Sequence, residues 1–140
     1  MLLRTCPSLK ILATSREALR IAGEALYLVP TLTIPDSGNA ALDTLSESEA
    51  VQLFVERAGS RSPGFALTHE NAPAIAQVCR QLDGIPLAIE LAAARLRLLS
   101  VEELAARLDD RFRLLTGGAR TALPRHQTLQ ALIDLSLIHI

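Results

Sequence analysis

The run Pro86–Leu99 constrains this chain most. Leu87, Ala88, Ile89, Leu91, Ala92, Ala94, Leu96 and Leu98 leave little of its helical circumference polar. A helix that is apolar nearly all round needs neighbours on several sides, so the run predicts a bundle with this helix at its centre. Its alanines allow those neighbours to come close. The run is too short to cross a bilayer, which takes roughly 20 apolar residues. Directly before it stand Gly84 and Ile85. Gly84 can take the left-handed conformation that ends one helix. Pro86 suits the first turn of the next, where its missing N–H costs nothing. By local chemistry the corner is either a plain helix–helix turn or a turn that also faces a ligand.

Helical signals surround the corner. Ser46-Glu47-Ser48-Glu49 carries a capping-box pattern, with Ser46 as the cap and Glu49 bonding back. The helix after it places Ala50, Val51, Phe54, Val55 and Ala58 on one face, with Glu56 and Arg57 toward solvent. Residues 59–67 hold two glycines and Pro63 and read as a loop. Thr68 is a candidate N-cap for the next helix. Ile75, Val78, Cys79 and Leu82 then recur at the spacing of one buried stripe. Ser100-Val101-Glu102-Glu103 is a second capping box, followed by Val101, Leu104, Ala105 and Leu108 on an apolar face. The pattern continues through Asp109–Leu115 and stops at Gly117-Gly118. A last helix begins near Gln127 or Thr128, with Leu129, Leu132 and Ile133 on its apolar side.

The first 35 residues read differently. Lys10-Ile11-Leu12-Ala13-Thr14 is a short run without polar alternation, the pattern of a strand buried on both faces. Arg16 follows just beyond its carboxyl end, the edge where ligands bind in open α/β sheets. Taken alone, Arg16 reads slightly better as a surface arginine in a loop. Residues 20–24 read as a turn. Ala25-Leu26-Tyr27-Leu28-Val29 is a second candidate strand, stopped by Pro30. Residues 31–45 read as a connection. Two short strands cannot make a stable sheet alone, so the sequence reads as opening in the middle of a larger one. The expected fold is mostly α, with two terminal strands of a sheet ahead of a four-helix bundle.

Several function classes fall away. A net charge of −1 argues against a chain that coats nucleic acid electrostatically. The arginines of the last third interleave with Glu102, Glu103, Asp109 and Asp110, and no complete recognition helix is present. Those adjacent carboxylates read as capping or solvated groups, so no catalytic residue is assigned. Cys6 and Cys79 stand far apart, with no C-x-x-C and no nearby histidine pair. They read as free thiols in a reducing compartment, with no metal site. Met1-Leu2-Leu3-Arg4 lacks the layout of a signal peptide. The expected location is the cytoplasm, without membrane contact.

Three stretches together resemble one family, the NB-ARC type of STAND ATPases in large bacterial transcriptional regulators (LuxR-like and SARP-type). Ile11-Leu12-Ala13-Thr14-Ser15-Arg16-Glu17 resembles the family's sensor strand. Gly84-Ile85-Pro86-Leu87-Ala88 resembles its Gly-Leu-Pro-Leu-Ala motif, with Ile85 in place of leucine. Asp109–Leu115 through Arg125–Leu129 resembles the approach to its winged helix. The resemblance implies that residues 1–35 are the last strands of a P-loop domain. It implies that 46–115 form the ARC helical domain and that 120–140 open a winged helix. It maps the phosphate-sensing arginine onto Arg16 and the adenine-packing proline onto Pro86, with Gly84 shaping the corner. The implied cofactor is ATP or ADP, with Mg²⁺ accompanying ATP. The implied partners are the other domains of the same regulator, with DNA reached only through those domains.

The chain departs from the family in a way that limits it. It contains no G-x-x-x-x-G-K-[ST] loop, and its only lysine is Lys10. The acidic strand end that would hold Mg²⁺ is missing too. Asp134-Leu135-Ser136 continues as Leu137-Ile138-His139-Ile140, away from the family's aromatic pattern. The chain therefore reads as a fragment of an ATP/ADP-switched regulator that does not bind nucleotide tightly by itself. The alternative is a nucleotide-independent helical interaction module.

Overall fold

The computed structural model describes residues 8–15, 17–36 and 41–116, with side chains described as far as residue 110. Contacts divide the chain into two compact units between Pro30 and Thr31.

The first unit contains no strand among its described residues. This corrects the expectation of two terminal strands of a P-loop sheet. The runs read as doubly buried strands are solvent-exposed: Ile11 is 59% accessible, Leu12 98%, Leu26 72% and Leu28 92%. Tyr27 is 83% accessible. The reason is physical. An extended segment becomes a strand only when a partner accepts its N–H and C=O groups. No described segment runs beside 10–14 or 25–29 in that way. The turn between them does form. Gly23 sits at φ +84°, and the Glu24 N–H donates to the Ile21 carbonyl at 3.2 Å. The Glu24 carboxylate accepts the N–H groups of Leu19 and Arg20 at 2.8 and 2.7 Å, holding Arg20 at φ 57°.

The second unit is helical. We label its elements α1 (Leu42–Glu47), α2 (Glu49–Arg61), α3 (Ala72–Gln81), α4 (Pro86–Ala93) and α5 (Val101–Thr116), with a 3₁₀ segment at Ala94–Arg97 between α4 and α5. α4 packs chiefly on α2, and α5 on α3. The largest fully buried side chains include Phe54, Ile75, Leu82, Ile89, Leu104 and Leu108. Each such side chain contributes roughly 1.5–3 kcal/mol through removal from water. Phe54 meets Phe65 edge-to-face, with ring centroids 6.3 Å apart.

The apolar stripes follow the sequence pattern on α3 and α5. Ile75, Val78, Cys79 and Leu82 are fully buried, as are Leu104 and Leu108. The Ser100 box also forms. The Glu103 N–H donates to Ser100 Oγ at 3.2 Å, and the Ser100 N–H donates to the Glu103 carboxylate at 3.0 Å. At the head of α3, Thr68 and Asn71 bond reciprocally, each side chain accepting the other's N–H. That pair nucleates the turn before Ala72.

Four details differ from the sequence reading. Ser46 does not cap α2. It lies inside α1, and its hydroxyl donates to the Asp43 carbonyl at 2.7 Å. The connection 31–45 is partly structured, since it contains most of α1 and a docked segment described below. The run from Pro86 is not one helix to Leu99, because it turns 3₁₀ after Ala93. Nor is it enclosed all round. Ala88, Ile89, Ala92 and Ala93 are buried, whereas Leu87, Leu91 and Leu98 are exposed. Among the described residues, no helix is long and apolar enough to cross a membrane.

Candidate functional site

The Gly84–Pro86 corner is built from three successive backbone constraints. After α3, the Leu82 N–H donates to the Val78 carbonyl at 3.0 Å and the Asp83 N–H to Arg80 at 3.1 Å. Asp83 and Gly84 then both take left-handed backbone, at φ 52° and 62°. Ile85 is extended at φ −78°, ψ 113°, as the residue before a proline must be. Pro86 opens α4, and Ile85 accepts its first bond, from the Ile89 N–H at 3.1 Å. One helix thus ends and the next begins within a few residues of fixed backbone geometry.

The corner is also pressed from outside. Gly84 is buried, and its carbonyl accepts the Leu32 N–H at 2.9 Å. A Cβ on Gly84 would run into the Leu32 carbonyl and would lie 3.2 Å from Ile34 Cγ2. Gly84 therefore serves both its φ and a close backbone approach. Pro86, by contrast, is exposed. Of the two corner residues assigned a binding role, Gly84 shapes the turn and Pro86 presents a ring to solvent. Arg16, the third assigned residue, lies outside the described residues.

The segment that presses on Gly84 also caps α2. The Thr33 N–H donates to the Glu49 carboxylate at 2.9 Å, and the Glu49 N–H donates to Thr33 Oγ1 at 3.0 Å. The Ser48 hydroxyl and the Ala50 N–H both donate to the Thr33 carbonyl, at 2.8 and 3.1 Å. The two donors that close on Glu49 and Thr33 are arranged as in a capping box, with the hydroxyl supplied from 16 positions upstream. Sequence reasoning missed Thr33 because capping is sought within one helical turn. The sequence held no signal for it, since Ser46 stood three positions before Glu49 as a ready local partner.

Few ion pairs link the helices among the described residues. Arg57 pairs with Glu90 at 3.2 Å, linking α2 to α4. Arg80 reaches the Asp36 carbonyl at 3.4 Å. It borders an open cleft of about 550 Å³ that Asp36, Asp43 and His69 also line. Cations and anions mix there without a dominant sign. Beside it, burial pushes the Cys79 thiol up to about 12, against a smaller opposing pull from Arg80.

Most of the chain is similar to short stretches of longer proteins. The chain is 52% identical over 135 residues to a Mycobacterium tuberculosis protein provisionally named an HTH-type transcriptional regulator, and equally to its Mycobacterium bovis counterpart. The relatives are transcriptional regulators by name. The match covers 96% of this chain but 14% of those proteins. An uncharacterized protein of Mycobacterium tuberculosis is 44% identical over 135 residues, 31% of its own length. No family model matches the chain, and no solved structure matches it.

Proposed function

We propose that this chain is the helical part of a transcriptional regulator of NB-ARC/STAND type, switched between ADP and ATP, with Gly84–Pro86 at the adenine side. The observation that carries the regulator half is the 52% identity to proteins bearing that name. Support for the nucleotide half is narrower. It consists of the Ile11–Glu17 and Gly84–Ala88 motifs and of a solvent-open Pro86 ring held on a rigid turn. A proline ring preset in a turn offers a flat apolar surface to a purine. Arg16 is assigned to the terminal phosphate, where a guanidinium forms charge-assisted hydrogen bonds.

The residues present fit the base side only. Gly84 is enclosed, with its carbonyl occupied by Leu32, so it shapes the corner without touching a ligand. No glycine loop for phosphates lies in the sequence. Triphosphate and Mg²⁺ are therefore held by other parts of the regulator, and any hydrolysis is slow. DNA contact likewise belongs to other domains.

The test is a chimera in which these 140 residues replace the matched segment of the Mycobacterium tuberculosis regulator, titrated with ADP and ATP by calorimetry. The chimera binds both nucleotides, and Pro86→Ala weakens both. Arg16→Ala weakens ATP more than ADP. Failure of the chimera and of the unaltered regulator to bind either nucleotide overturns the proposal.

A second reading, a nucleotide-independent interaction module, is favoured by the exposed Leu87, Leu91 and Leu98. Self-association of the purified chain, unaffected by nucleotide and abolished by Leu87→Gln with Leu91→Gln, would select it.

A further inference from the structure

We propose that residues Thr31–Asp36 form a latch: an extended strap that opens and closes on the helical bundle as one unit, with Thr33 as its bolt and Gly84 as its keeper.

The hydrogen bonds that hold the strap converge. Four of them use Thr33, through its N–H, its carbonyl twice and its hydroxyl. A fifth joins Leu32 to Gly84, and a longer sixth runs from Arg80 to the Asp36 carbonyl at 3.4 Å. Bonds gathered on one residue are lost together when that residue moves, because displacing Thr33 removes both the donors and the acceptors of its partners. The apolar anchoring is light. Leu32 is half-buried against the core and Pro35 is buried, while Thr33 and Ile34 are exposed. The main helical core contains no strap residue. An element with few buried apolar contacts and solvent-accessible backbone bonds opens at low free energy, below the unfolding of its host.

Gly84 makes closure possible. The strap's main chain lies against it so closely that any side chain there would displace the Leu32 carbonyl. Opening frees residues 31–36, a segment that reaches about 20 Å when extended. It also leaves the Glu49 and Ala50 N–H groups and the Gly84 carbonyl without their partners. The latch therefore couples the state of the strap to the state of the corner. This holds whether or not the corner meets a nucleotide.

Native-state hydrogen exchange on the 140-residue chain, followed by NMR across low denaturant concentrations, tests it. The amides of Leu32, Thr33, Glu49 and Ala50 exchange with one common opening free energy, below that of Leu82 in α3. Thr33→Val keeps the branched shape but removes the hydroxyl. It accelerates all four amides by about tenfold, the cost of one lost hydrogen bond, and leaves Leu82 unchanged. Two results overturn the latch. If the four amides open only with Leu82, the strap is an inseparable part of the bundle. If Thr33→Val accelerates Glu49 alone, the contacts are independent and no unit exists.

Discussion

Gly84 carries two demands at once, a left-handed φ of 62° and a backbone packed against its Cα. Gly84→Ala meets both penalties, strain at positive φ and a clash with main chain that has no rotamer to yield. The expected destabilisation is about 2–3 kcal/mol, read from urea unfolding. Cys79 gives a second prediction at this scale. Its thiol is neutral when protonated, and burial holds the folded value at about 12 against an ordinary 9.0. The folded state thus keeps the proton more tightly than the unfolded chain does. The stability it contributes is complete below pH 9 and is lost as pH rises from 9 toward about 12. The difference between wild type and Cys79→Ala therefore shrinks across that window in denaturant titrations. Single residues were legible where their role is intrinsic: Gly84 and Pro86 announced a corner from backbone chemistry alone. Thr33 was not legible, because a threonine's role as a remote cap depends on where the fold carries it.

Among the elements, the helices were readable in proportion to how local their support is. Ser100 and Glu103 bond to each other across three positions, so their pattern in the sequence and their geometry coincide. Ser100→Ala is expected to cost about 1 kcal/mol by chemical denaturation, with Glu103→Gln largely neutral because an amide oxygen still accepts. The Ser46–Glu49 pattern had the same letters and failed. Glu49 found a better-placed N–H on Thr33, and Ser46 was absorbed into α1. The two apolar runs before residue 30 misled for a related reason. Apolar, β-branched character makes a segment a competent strand partner, but pairing requires a second backbone. Without one beside them among the described residues, Ile11, Leu12, Leu26 and Leu28 remain in solvent.

For the whole molecule, the bundle is the stable body. Among the described residues its buried core runs from Leu45 to Leu108, with Leu32 packed partly buried against it. A chain starting at Thr31 is therefore expected to keep the helical circular dichroism and thermal midpoint of the full chain to within a few degrees. A large drop would mean that residues 1–30 support the core. The sequence matches 14% of regulators many times longer, and Leu87 and Leu91 of α4 stand exposed on the bundle. The placement of aromatic rings has a practical consequence for anyone who measures these effects. The chain has no tryptophan, and its single tyrosine, Tyr27, is open to water and far in sequence from the helices. Ultraviolet emission from the native protein is thus silent about the folding of the bundle. Phe65, half-buried at the edge of Phe54, is the place to install a tryptophan lamp, where its glow would dim or shift as the core comes apart.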